Sequence, residues 1–299
     1  ITGHLEIKEP FDGMFTQGMV CHETYSNEDG DWIEPKFVKK GDNEQDAHHK
    51  DTGEKIKVGP SEKMSKSKKN IVDPDDIIKL YGADTARWFV LSDSPPDRDI
   101  FWTEAGIESS NKFINKIWRT ILDYKEIVEQ KDIKNASEQI QFIKIMHKSI
   151  KDITLNLETM SFNKAIANIY SLIGELSKSD TKEKINGQTA SKILKQLIII
   201  LSPFIPHLAE ESWAHSGFDG LVCKQSWPEF DESLTDNEKA MIVVQINGKK
   251  RGELSLSTTT GEKEAIEVAK NNNKIKNDLA GKEIKKVIYV KGRILNFVV

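Results

Sequence analysis

Residues 61–93 read "SEKMSKSKKNIVDPDDIIKLYGADTARWFVLSD". Four lysines, Lys63, Lys66, Lys68 and Lys69, fall within ten residues that hold three serines and no aliphatic residue except Met64. Such a stretch is either a solvated basic loop or a loop built to hold an anion, and spacing alone does not separate the two. The residues after the lysines are more specific. Asp73 suits a helix N-cap and Pro74 the first helical position, where its missing N–H costs nothing. Gly82 can close that short helix, and "ADTARWFVLS" begins another.

Outward from this point the chain changes character three times. Residues 1–62 are turn-rich: "YSNEDGDW" and "HKDTGEKIKVG" read as hairpin turns between short strands, and "KKGDNEQDAHHKD" as a loop or tip. His48 and His49 are adjacent, have no cysteine near them, and make no zinc spacing. From Thr103 to Gly217 the period is helical. One stripe runs through Ile107, Ile114, Ile117, Trp118, Ile121 and Leu122, and a second through Ile140, Ile143, Ile150, Ile153 and Leu157. A third takes Ala165, Ile166, Ile169, Leu172, Ile173 and Leu176 behind a Ser161 cap. A fourth spans about Thr189 to Leu201 and is stopped by Pro203, and a short fifth starts near Pro206. Successive amphipathic helices with short joins predict a bundle. The last 64 residues predict a ββαββ module: two strands around Asn247-Gly248, a helix capped near Thr260, and two strands around Lys291-Gly292.

Composition excludes several classes. The longest apolar run, "LIIIL" at 197–201, falls far short of the roughly 20 residues a membrane span needs. Cys21 and Cys223 are too few and too far apart for a disulfide scaffold and suggest reduced thiols. The net charge of −4 conceals an asymmetry: thirteen Lys/Arg against eight Asp/Glu give +5 from Asp236 onward, which leaves −9 on the rest. A basic end on an acidic body suggests a localised contact with a polyanion.

Lys63-Met64-Ser65-Lys66-Ser67, followed by a capped helix and a bundle, resembles the second half of a class I aminoacyl-tRNA synthetase. The series "EPFDGMFTQGMVCHETY" (9–25), residues 63–108, "LSPFIPHLAEESW" (201–213), "VVQINGKKRGEL" (243–254) and "KKVIYVKGRILNFVV" (285–299) narrows the likeness to bacterial-type leucyl-tRNA synthetases. The chemistry beside the likeness is simple. Activation is attack of a carboxylate on the α-phosphate of ATP, so negative charge builds on the leaving pyrophosphate. Lysines on a closing loop can meet that charge. At 4 Å and an effective dielectric of about 20, one such pair is worth roughly 4 kcal/mol before desolvation.

The resemblance assigns parts. Lys66, assisted by Lys63, is the expected catalytic group, with Met64, Ser65 and Ser67 completing the ATP-binding loop and the Ser65 and Ser67 N–H groups as further donors. Lys68 and Lys69 are surface charge or face tRNA. Gln17, Gly18 and Met19 either lie by the nucleotide site or end a core strand. Asp84 and Arg87 read as a structural i,i+3 pair, Trp118 as core, and His207 as helix-start packing. Arg119, Lys249, Lys250 and Arg251 are the candidate tRNA contacts. The implied fold is a mixed α/β and α chain. Residues 1–102 form part of a Rossmann catalytic domain with a β-rich leucine-specific insertion at about 21–62. Residues 103–235 form an anticodon-binding-type bundle, and 236–299 a tRNA-binding module. The implied substrates are leucine, ATP with Mg2+ and leucine tRNA, acted on in the cytoplasm by a monomer with no bound zinc or other metal and no membrane.

The family pattern also requires a His-Ile-Gly-His type signature and an editing insertion. Neither is present in these 299 residues, where His4 of "TGHLEI" stands alone. With Ile1 opening the sequence, the expectation is a C-terminal fragment that cannot form leucyl-adenylate unaided. The alternatives are a valyl, isoleucyl or methionyl enzyme, against which the C-terminal module argues, and a stand-alone tRNA-binding protein derived from a synthetase half.

Overall fold

The computed structural model describes residues 3–4, 11–41, 46–129, 136–235, 240–256, 260–279, 281–282 and 284–299. The tip residues 42–45 of the expected loop lie outside these. Residues 1–230 form one compact unit and 231–299 a second.

In the first unit β1 (Val20–Ser26), β2 (Val38–Lys40), β3 (Ala47–His49) and β4 (Lys55–Lys63) make an antiparallel set around Tyr25, Val38, Ala47 and Ile56. After α1 (Pro74–Tyr81) and α2 (Ala83–Asp93), the short β5 (Ile100–Phe101) returns parallel to β1, giving the order β2-β3-β4-β1-β5. A Rossmann layout is mainly parallel. Among the described residues of this unit only β1 and β5 pair that way, because β2–β4 form an antiparallel excursion inside the β1-to-β5 crossover.

The Asp73 carboxylate accepts the Asp75 N–H at 2.9 Å with Pro74 inside the first turn, as the sequence predicts. Gly82, at φ 84°, ends α1 and opens α2, a conformation open to glycine at little cost. α2 then buries two faces. Phe89 packs with Ile100 and Ile107, whereas Trp88 enters the core of the helical bundle. Its indole N–H donates to the Tyr170 hydroxyl at 3.1 Å, and its ring lies 5.4 Å from Phe113 and 6.3 Å from Phe204. Through α2 the sheet and the bundle share one body.

The bundle consists of α3 (Glu104–Glu129), α4 (Ala136–Glu158), α5 (Phe162–Leu176), the short α6 (Ser179–Lys184), α7 (Gly187–Leu201) and α8 (Pro206–His215). All six residues of the third predicted stripe are buried. The second needs correction: Ile140 is exposed, and Phe142 and Met146 take the core positions before Ile150 and Ile153. Trp118 is half-buried against His215, ring centroids 5.4 Å apart, while Ile117 and Ile121 fill the core. Ser161 occupies the cap position of α5 without a side-chain cap bond. α7 starts two residues earlier than predicted, because the Asn186 side chain caps the Thr189 N–H at 2.8 Å.

Asp84 and Arg87 do not pair with each other. The Asp84 carboxylate accepts from the Leu208 N–H at 2.7 Å and contacts the His207 ring Nδ1 at 2.9 Å. Arg87 donates to the carbonyls of Pro203 and Phe204. Ile205 supplies no cap to α8, so a carboxylate from α2 stands in at that helix start, where negative charge is favoured. His207 is thus held by a hydrogen bond rather than by packing.

The second unit opens with α9 (Glu232–Thr235). Its sheet joins β6 (Ala240–Ile246), β7 (Lys249–Leu256), β8 (Lys286–Val290) and β9 (Ile294–Val298) in the order β7-β6-β9-β8, with β6 and β9 parallel. Asn247 at φ 49° and Gly248 at φ 78° make the tight hairpin that the dipeptide predicts. The single predicted helix is two, α10 (Glu262–Asn271) and α11 (Asn273–Leu279), so the module is ββααββ. At Asn272 the backbone is extended (ψ 121°) and the side-chain oxygen accepts the Ile275 N–H at 3.4 Å, a local bond that competes with helix continuation. Gly261, not Thr260, sits at the cap of α10. Ala265, Ala269 and Ile275 cover one sheet face over Val244, Leu295 and Phe297.

Candidate functional site

The signature stretch begins on a strand. Lys63 is the last residue of β4, opposite Cys21 on β1, and the Met64 N–H donates to the Val20 carbonyl at 3.1 Å. The chain then folds into a compact turn over 65–70. The Lys69 N–H approaches the Lys66 carbonyl at 3.3 Å and the Lys68 N–H approaches Ser65 Oγ at 3.3 Å; Lys69 adopts φ 50°. The turn is closed by Asn70, which is fully buried. Its Oδ1 accepts the Ser65 N–H at 2.8 Å, and its Nδ2 donates to His22 O at 3.1 Å and Glu62 O at 3.1 Å, with Lys63 O at 3.4 Å.

This geometry sorts the lysines. Lys68 is paired with the Glu62 carboxylate. Lys63, Lys66 and Lys69 are exposed, and among the described residues their ammonium groups have no ion pair or hydrogen bond. Of the two expected backbone donors, Ser65 is consumed by Asn70, while the Ser67 N–H has no partner among the described residues. The end of β4 and the turn therefore present the two signature ammonium groups, Lys63 and Lys66, with Lys69 and one N–H beside them, while Lys68 is neutralised.

Residues beside the turn are tightly fitted. Gly18 donates its N–H to Pro96 O at 2.9 Å, and a Cβ there would lie 2.0 Å from the Arg98 carbonyl oxygen, so only glycine fits. The Met19 N–H donates to Asp99 at 2.8 Å. "TQGMV" thus runs along the 96–99 segment immediately before β1. Burial, then the nearby Asp99 carboxylate, raise the Cys21 thiol above its ordinary pKa. Glu23 titrates below its ordinary value: burial pushes it up, but hydrogen bonds from Lys40 and from Tyr25 at 2.6 Å outweigh that. The Tyr25 hydroxyl is raised by burial and by the same carboxylate.

The other predicted contacts lie on separate elements. Arg119 is exposed on α3 and has no partner among the described residues; Lys116 and Lys112 lie on the same face one and two turns earlier. Lys249, Lys250 and Arg251 project from β7, where Lys250 pairs with Glu253 at 2.5 Å. Residues Lys250–Glu253 line an open cavity of about 420 Å³. Charge in this unit collects on the sheet: residues 240–256 and 284–299 hold Lys249, Lys250, Arg251, Lys285, Lys286, Lys291 and Arg293 against one acid, Glu253. No group of three or more His, Cys, Asp or Glu is placed to hold a metal ion among the described residues, and no helix there is long and apolar enough to cross a membrane.

Sequence reasoning missed Asn70. Nothing local distinguishes it from an ordinary loop asparagine, since three of its partners belong to strands that the turn reaches only after folding.

Two family models match the chain: tRNA synthetases class I (I, L, M and V) over residues 56–103, and the anticodon-binding domain of tRNA ligase over 139–268. The first covers β4, the signature turn, α1, α2 and β5. The chain is homologous to the class I aminoacyl-tRNA synthetases. Its curated relatives are leucine–tRNA ligases: that of Agrobacterium fabrum is 45% identical across the whole of this chain, and that of Sinorhizobium medicae 41%. This chain spans about a third of their length, 36% in both cases. Among solved structures it is similar to the LeuRS of Agrobacterium radiobacter K84 in a ternary complex with tRNA and LeuAMS. The TM-score is 0.66 at 26% identity, covering 79% of this chain and 30% of that one.

Proposed function

We propose that this chain is the part of a leucine–tRNA ligase that carries the lysine signature loop and holds the tRNA. Residues 1–102 contribute the loop and the leucine-specific insertion, residues 103–235 the supporting bundle, and residues 236–299 the module that grips leucine tRNA. The ligase works as a cytoplasmic monomer. The observation that supports this most is the sorting of the lysines: among the described residues Lys63, at the end of β4, and Lys66, on the turn locked to the sheet, stand unpaired, while Lys68 is neutralised by Glu62.

Leucine's carboxylate attacks the α-phosphorus of ATP, the bond to the bridging oxygen breaks, and pyrophosphate leaves with the negative charge. Lys66, assisted by Lys63, meets that charge, and Met64, Ser65 and Ser67 shape the loop around the phosphates, with the Ser67 N–H as the backbone donor. Mg2+ arrives on the ATP phosphates as part of the substrate. Arg119, Lys249, Lys250 and Arg251 contact the tRNA phosphates, and the concentration of cations on the second unit's sheet supports that role.

The 299 residues contain no His-x-Gly-His sequence to bind the phosphates from the opposite side. The chain alone therefore gives no leucine-dependent ATP–pyrophosphate exchange. A joined ligase, in which it replaces the matching third of the Agrobacterium fabrum relative, restores exchange. Exchange by the chain alone, or none by the joined ligase, contradicts the reading.

A further inference from the structure

Asn70 is buried under the signature turn and engages both strands beneath it. Its amide oxygen takes the N–H of Ser65, the residue before Lys66, and its amide nitrogen reaches carbonyls on β1 (His22) and β4 (Glu62, Lys63). A side-chain amide offers an acceptor and two donors in one plane, which this site uses in full. The Lys66 side chain is exposed and, among the described residues, its ammonium has no hydrogen bond or ion pair to fix it. Its backbone is placed by Ser65 on one side and by the Lys69 N–H to the Lys66 carbonyl on the other. The left-handed Lys69 then turns the chain inward so that Asn70 reaches the strands.

We propose that Asn70 is a positioning residue for Lys66: by tying Ser65 to the β1/β4 edge, it sets where the Lys66 ammonium meets the leaving pyrophosphate. The proposal rests on the reading that Lys66 serves ATP. Misplacing a catalytic group by 1 Å can cost about 10²-fold in rate. The bond to Ser65 also leaves Ser67 as the turn's backbone donor to phosphate.

Asn70→Asp in the joined ligase tests this because it keeps the shape and changes the donors. The ionised carboxylate still accepts from Ser65 but has nothing to give to three carbonyl oxygens. Burial against those oxygens favours its protonated form, which regains one O–H donor as pH falls. The other titratable or charged neighbours are His22 on β1, Glu62 and Lys63 on β4, and Lys66, Lys68 and Lys69 in the turn. All are common to every variant and cancel in a rate ratio to the unsubstituted ligase.

At pH 8, kcat for pyrophosphate exchange falls about 10²-fold in Asn70→Asp, with KM for leucine unchanged. Between pH 8 and pH 6 the rate ratio of Asn70→Asp recovers by about 10-fold, while that of Asn70→Ala stays flat. Asn70→Asp within threefold of the unsubstituted rate, or a loss without recovery, overturns the proposal. So does a tryptophan-fluorescence unfolding curve showing Asn70→Asp unfolded at pH 8, because the role is then structural. Lys66→Ala separates the two readings. If Lys66→Ala keeps its rate, the assignment of Lys66 has failed; if it loses rate while the Asn70 variants do not, Asn70 alone is wrong.

Discussion

Lys66→Ala in the joined ligase lowers kcat for leucine-dependent pyrophosphate exchange by about 10²-fold or more, close to 2.7 kcal/mol of transition-state stabilisation. The Lys66 ammonium is exposed and without a protein partner among the described residues, so its removal leaves no buried carboxylate unpaired and does not disturb the fold. What is lost is the cation that meets charge developing on the leaving group. An interaction made only in the transition state lowers kcat and kcat/KM together and leaves leucine binding untouched. Lys68→Ala is the internal control. Its charge is already committed to Glu62, and exposed pairs of this kind contribute little, so exchange changes by less than about threefold. Equal losses in both variants would mean that the loop acts through its total charge and not through a placed ammonium.

Trp88→Ala destabilises the first unit by about 3–5 kcal/mol. The indole is fully buried, touches Phe113, Tyr170 and Phe204, and loses its hydrogen bond to Tyr170 as well. All six tryptophans lie within residues 1–230, so fluorescence during urea unfolding reports that unit alone. Trp88→Phe keeps an aromatic ring and should lose less than half as much. A shift below about 1 kcal/mol in Trp88→Ala would show that α2 is not the join between sheet and bundle. The consequence reaches the site, because only residues 71–73, the eight residues of α1 and the hinge at Gly82 separate the signature turn from α2.

Local signals in the sequence carried much of this. The six buried residues of α5, the Asp73-Pro74 helix start and the Asn247-Gly248 hairpin each depend on chemistry within a few residues, and the structure has all three. Contacts across the chain were not legible. Asp84 and Arg87 sit one turn apart and look like partners, yet each is claimed by backbone groups more than 110 residues away at the α7–α8 junction. Ile140 fits the period as well as Phe142 does, and only the neighbouring helices decide which is buried. In the site, the lysines were legible because their chemistry is in their side chains. Asn70 was not, because its importance lies in carbonyls that strand pairing places around it.

The central claim is that Lys63 and Lys66 face ATP while Lys68 does not. Lysine acetylation of the joined ligase, quantified residue by residue with and without ATP and leucine, tests it directly. Protection of Lys63 and Lys66 on adding both substrates, with Lys68 unchanged, is the result expected. Unchanged reactivity at Lys66 would contradict the account.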